Sequence, residues 1–218
     1  MVVLASILED LMPAFREKEE AGSVESGLFD EMVEITGDCV HGVDRISEIV
    51  QALKGSVRTD RDASNFDPCK VIEDSVTVFS RAHKHECQVD LDLDAVPAIR
   101  GMPGKLGQVV LNLLENGLDA MNGEGRLEVR ARAEDDSVVI TVRDFGSGIA
   151  PEVADRIFLP FFTTKEVGKG TGLGLYICHE IIVGMCGSLR FEEANPGTRF
   201  VITLPVAEAF DPAAARLH

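Results

Sequence analysis

The chain has 218 residues, 45% of them apolar, and 37 acidic against 21 basic side chains, for a formal net charge of −16. That length allows one or two domains with a sizeable core, and the apolar content argues against disorder. The acidity argues against nucleic acid and anionic membrane as partners, and it means that any anionic ligand must be met by locally placed cations.

Residues 2–20 read as a helix with an apolar stripe of Leu4, Ile7, Leu8, Leu11 and Phe15. A polar turn at 22–27 leads to a longer helix over 28–53, where Leu28, Met32, Ile35, Cys39, Val43, Ile46, Val50 and Leu53 recur at spacings of three and four. Two such helices cannot bury their seams alone, so residues 1–54 are expected to form an antiparallel hairpin that dimerises into a four-helix bundle. Residues 55–65 read as a charged linker.

From residue 66 the periodicities alternate. A helix is expected over 69–82, capped by Asp67 with Pro68 in its first turn, then a strand over 88–93. His83, His85 and Cys87 alternate between them, with no further residue to complete a metal set. A helix over 105–121 should turn Leu111, Leu114 and Leu118 to a core. Strands follow at 127–133 and 137–143, a short helix at 151–157 inside a long loop spanning 149–172, and a helix at 173–185. The segments 188–192 and 198–204 pair as a hairpin about Asn195-Pro196-Gly197. The expected class is α+β: a helical hairpin, then a two-layer α/β sandwich with a mixed sheet over 66–205, and a frayed tail over 206–218. Five scattered cysteines, no apolar run of about 20 residues and no signal peptide suit reduced thiols in a cytoplasmic protein without membrane contact of its own.

Three stretches carry chemistry. Asn112, Asn116 and Asp119 step by four and three, so they share one face of an otherwise apolar helix, where Mg²⁺ and phosphate oxygens are suitable partners. Asp144 stands just past an apolar strand, followed by Gly146 and Gly148, where a carboxylate can accept a hydrogen bond from an exocyclic amine such as that of adenine. The glycines of Gly168-Lys169-Gly170-Thr171-Gly172-Leu173-Gly174 precede a helix and free backbone N–H groups for phosphate. This cluster fits neither Walker A, since Gly170 follows Lys169, nor the Rossmann fingerprint. Lys165 and Lys169 are the nearest cations, with Arg199 a third candidate. Phe158, Phe161 and Phe162 in the long loop are read as anchors that pack on the domain or on the hairpin.

In this order and spacing, the asparagine helix, Asp-x-Gly-x-Gly, Phe-x-Pro-Phe-Phe-Thr-Thr-Lys and Gly-x-Gly-Thr-Gly-Leu-Gly-Leu resemble the four boxes of the ATP-binding domain of sensor histidine kinases. These kinases belong to the gyrase/Hsp90/histidine kinase/MutL superfamily, and the Pro-Phe-Phe-Thr-Thr-Lys form resembles nitrogen-regulator-type members. The resemblance implies a kinase that passes the ATP γ-phosphate to a histidine and on to a response-regulator aspartate. ATP and Mg²⁺ are the implied cofactors. A homodimer through the hairpin and a receiver domain are the implied partners.

The resemblance implies Asn116 as the Mg²⁺ ligand, with Asn112 and Asp119 beside it, and Asp144 as the reader of the adenine amine. Gly146 and Gly148 would shape the base pocket, while Thr164, Lys165, Gly170, Thr171, Gly172, Leu173 and Gly174 would wrap the phosphates. ATP hydrolases of the superfamily carry a glutamate four residues before the metal-binding asparagine. That position is Asn112; Glu115, adjacent to Asn116 and about 100° around the helix from it, is the candidate base towards a histidine. Residues 1–20 hold no histidine and His41 is a poor acceptor, so the acceptor segment is expected to precede this sequence or to be missing. A non-enzymatic dimeric scaffold and an ATP hydrolase are the alternative readings.

Overall fold

The computed structural model describes residues 63–165 and 170–208. The expected hairpin and the last ten residues lie outside the described residues, as do Gly168 and Lys169. The described elements are β1 (Ser64–Phe66), α1 (Pro68–Ala82), β2 (Cys87–Leu93), β3 (Ile99–Gly101), α2 (Pro103–Ala120), β4 (Gly125–Glu134), β5 (Ser137–Arg143), a 3-10 turn (Pro151–Arg156), α3 (Gly174–Gly184), β6 (Ser188–Glu193) and β7 (Thr198–Pro205).

Five strands form one sheet in the order β2-β4-β5-β7-β6. β2 runs parallel to β4 and the other neighbours are antiparallel, so the sheet is mixed. Strict alternation in β4 and β5 drives the layering: Leu127, Val129 and Ala131, and Val138, Ile140 and Val142, all point to one buried face. Against it lie Ile72, Val76 and Phe79 of α1, Leu106, Val109, Val110, Leu113, Leu114 and Leu118 of α2, and Cys178 and Ile182 of α3. The opposite face carries a charged row, Asp90-Glu128-Arg143-Arg199-Glu192, one residue from each strand.

Asp67 caps α1 by accepting from the Cys69 amide at 2.9 Å, with Pro68 at the first turn, as the sequence predicts. α2 starts at Pro103. Leu114 and Leu118 are buried, whereas Leu111 is half-buried at the core's margin. Two differences concern short strands. β1 and β3 pair antiparallel, with Ser64 and Asn65 falling in a stretch that reads as linker. Three-residue strands are too short to display a period of two. The expected tail is held at its start, where the Val206 and Ala207 amides donate to Asp136 and Ala98 carbonyls at 2.9 and 2.8 Å. None of the described helices is long and apolar enough to cross a membrane.

Candidate functional site

Asp144 is the first residue beyond β5 and is only 4% exposed. Its Oδ1 accepts from the Gly146 amide at 2.9 Å and the Thr198 amide at 3.2 Å. Both of these bonds fall on one oxygen, which leaves Oδ2 as the acceptor for an incoming donor. Burial pushes the Asp144 carboxyl above its ordinary range, and the Gly146 and Thr198 amides hold it back. Gly146 is required by close approach: a Cβ there would lie 2.3 Å from the Ala120 carbonyl oxygen at the end of α2. The neighbouring Ser147 amide donates to that same oxygen at 3.1 Å, tying the Asp144 turn to the asparagine helix. Gly148 follows with a φ of 75°.

Asn112 and Asn116 are half-buried on α2, and Asp119 is exposed at its last turn. Gly174, the first residue of α3, abuts Asn112, so that a Cβ on it would sit 2.8 Å from Oδ1. One turn along α3, the buried Cys178 thiol donates to the Val109 carbonyl at 3.9 Å. Burial pushes that thiol up to about 12. This seam joins the asparagine face to the glycine-rich entry of α3. Gly172 has a φ of 67°, and its Cα packs so closely on the Phe161 backbone that a Cβ would come within 2.5 Å of the Phe161 carbonyl carbon. Leu173 is buried, and its amide donates to Thr171 Oγ1 at 3.3 Å.

Lys165 ion-pairs with Asp119 across the gap between the long loop and α2. Its amide donates to Thr163 Oγ1 at 3.1 Å, and the exposed Thr164 lies between them. Phe158 and Phe162 pack on the core, and Phe162 also stacks under Arg156 at 4.5 Å. Phe161 is 66% exposed, with a φ of 65°.

Two expected participants face elsewhere. Glu115 is half-exposed and accepts from His83 Nε2 at 3.1 Å, while His83 Nδ1 reaches Glu86 at 2.8 Å. Adjacent helix residues point about 100° apart, so Glu115 leaves the Asn112–Asn116 face for α1. Arg199 pairs with Glu192 at 3.6 Å on the opposite face of the sheet, away from the glycine loop. No motif in the sequence points to Thr198 and Gly197 as partners of Asp144. The former donates to Asp144, and a Cβ on the latter would stand 2.1 Å from the Asp144 carbonyl oxygen. Only the Asn-Pro-Gly turn marked that region, and its contact with Asp144 spans 54 residues of chain.

Residues 101–208 match the family of histidine kinase-, DNA gyrase B- and HSP90-like ATPases. The two-component sensor PprA of Pseudomonas aeruginosa is 38% identical over 156 residues, 67% of this chain and 17% of that protein. The sensor histidine kinase ZraS of Escherichia coli K12 is 35% identical over 75% of this chain and 36% of its own length. Residues 101–208 are an ATP-binding domain of the sensor histidine kinase type. The fold of this domain is that of solved relatives. A nucleotide-free catalytic domain of the histidine kinase ThkA aligns with a TM-score of 0.61 at 26% identity, covering 66% of this chain and 98% of its own. The mycobacterial sensor histidine kinase MprB aligns at 0.59 and 28%, over 66% and 97%. The chain thus spans a whole solved catalytic domain, but about a sixth to a third of the full-length sensors.

Proposed function

We propose that this chain is the phosphoryl-donor core of a two-component histidine kinase. It would bind Mg-ATP and pass the γ-phosphate to a histidine, from which a response-regulator receiver aspartate takes it. What supports this reading is that the C-terminal half of α2 carries both contacts: the turn of the buried Asp144 rests on Ala120, and the Gly174 start of α3 rests on Asn112. Asp144 Oδ2 would accept from the adenine amine, and Gly146 and Gly148 would flatten the base site; the Gly146 and Thr198 amides that bond Oδ1 support this reading. The backbone of Gly170, Thr171 and Gly172 leads into Leu173 and Gly174 at the N-terminus of α3, where the helix dipole would favour phosphate.

The donor set suits Mg²⁺. Asn116 and Asn112 offer neutral amide oxygens, and a triphosphate and water would complete an oxygen shell. Asn116 would hold the ion, which when bound neutralises phosphate charge. Asn112 would face the phosphates while bracing Gly174. Phosphoryl transfer rests on positioning and charge neutralisation, which these residues supply. Transfer is favoured over hydrolysis because Asn112 occupies the place of the hydrolases' glutamate and Glu115 is engaged by His83. Residues 1–54 are proposed as the dimerisation hairpin and the stretch from 55 to the start of β1 as its linker, with β1 to β7 as the catalytic domain.

Calorimetry tests the site. Asn116→Ala should remove the Mg²⁺-dependent part of ATP affinity and leave adenosine binding intact. Equal ATP affinity in wild type and variant, with and without Mg²⁺, would refute the assignment.

A further inference from the structure

Asp119 stands apart from its neighbours on the asparagine face. It is a carboxylate in the last turn of α2, a turn that holds no basic residue. The negative end of the helix dipole disfavours a carboxylate there. The cation that offsets it comes from 46 residues away: Lys165 Nζ binds Asp119 Oδ2. The two side chains are 37% and 55% exposed, so the pair is reachable by solvent and by a ligand.

Lys165 is also the described lysine nearest the glycine loop. A Cβ on Gly170 would lie 3.2 Å from Lys165 Cδ and 2.8 Å from Thr163 Oγ1, so the start of that loop runs along the lysine stem. The lysine therefore has a carboxylate on one side and the phosphate-binding backbone on the other. A triphosphate seated on that backbone recruits the lysine and is repelled by the carboxylate. Such a ligand is disfavoured by the chain's −16 charge as well, which makes one local carboxylate more consequential.

We propose that Asp119 is a resident competitor for Lys165, holding the lysine that the phosphates recruit, so that it limits nucleotide affinity instead of supplying it. This rests on the nucleotide-binding reading above. It reverses the sign expected of a metal or phosphate ligand at this position. Binding exchanges one ion pair for another: Lys165 leaves the Asp119 carboxylate for phosphate oxygens, and the carboxylate returns to water.

The test is calorimetric titration of the full chain with Mg-ATP and, separately, adenosine. Asp119→Asn should tighten Mg-ATP binding by about threefold to tenfold, the scale of an exposed ion pair plus one removed repulsion. Adenosine, which lacks phosphates, should bind equally to both proteins. Lys165→Met should weaken Mg-ATP, and in that background Asp119→Asn should lose most of its gain. Weaker Mg-ATP binding by Asp119→Asn would overturn the inference and make Asp119 a ligand. Unchanged binding would also overturn it. A wild-type chain that binds neither Mg-ATP nor adenosine would instead overturn the nucleotide-binding reading.

Discussion

Replacing Asp144 by asparagine isolates the base-reading interaction. The substituted side chain would keep an oxygen where Oδ1 now accepts from Gly146 and Thr198, at 2.9 and 3.2 Å, so the turn has reason to survive. The amide nitrogen would then replace Oδ2, presenting a donor to the adenine amine, itself a donor. A hydrogen bond to a charged acceptor contributes about 1.5–3 kcal/mol. Its loss weakens ATP by about tenfold to more than a hundredfold. Inosine triphosphate carries an acceptor oxygen in place of the amine, so the variant should lose little affinity for it, or gain some. The Asp144 carboxyl is raised above its ordinary range by burial, so its ionised form disfavours folding. That penalty enters as pH rises past the ordinary aspartate value and is complete above the raised one. At neutral pH the variant should therefore melt no lower than wild type. Titration calorimetry with both nucleotides and thermal unfolding read these effects. Equal losses for both nucleotides, or no loss for ATP, would refute the assignment of Oδ2 to the amine.

Two further outcomes follow from the same geometry. Gly146→Ala places a Cβ 2.3 Å from a backbone oxygen that cannot swing aside, so denaturant unfolding should show a loss of about 1–3 kcal/mol and ATP affinity should fall with it. His83 is raised above the ordinary imidazole range, first by its bond to Glu86 and then by Glu115. The raised folded value means that its stabilisation is complete below the unfolded imidazole value and fades as pH climbs through the folded one. Stability measured from pH 6 to 9 should decline more in wild type than in His83→Gln; parallel profiles would contradict this.

Much of the catalytic domain was legible because its signals are local. Alternation in β4 and β5, the Asp67-Pro68 start of α1 and the polar stripe on α2 all lie within single elements. What escaped was what depends on distant contact. The bond from the Thr198 amide to Asp144 and the pull of His83 on Glu115 join residues 54 and 32 apart, and no periodicity announces either. The three aromatic residues of the loop divide for the same reason. Phe158 and Phe162 find core partners, while the left-handed backbone at Phe161 turns its ring to solvent.

As the proposed phosphoryl donor, this chain should pass the ATP γ-phosphate to a histidine. The direct measurement incubates it with Mg²⁺, ATP radiolabelled at the γ-phosphate and a separately supplied acceptor helix bearing a kinase-type histidine. Acid-labile label is expected on the acceptor histidine, abolished by Asn116→Ala. Release of free phosphate with no label on the acceptor, from a chain shown to bind Mg-ATP, would contradict it.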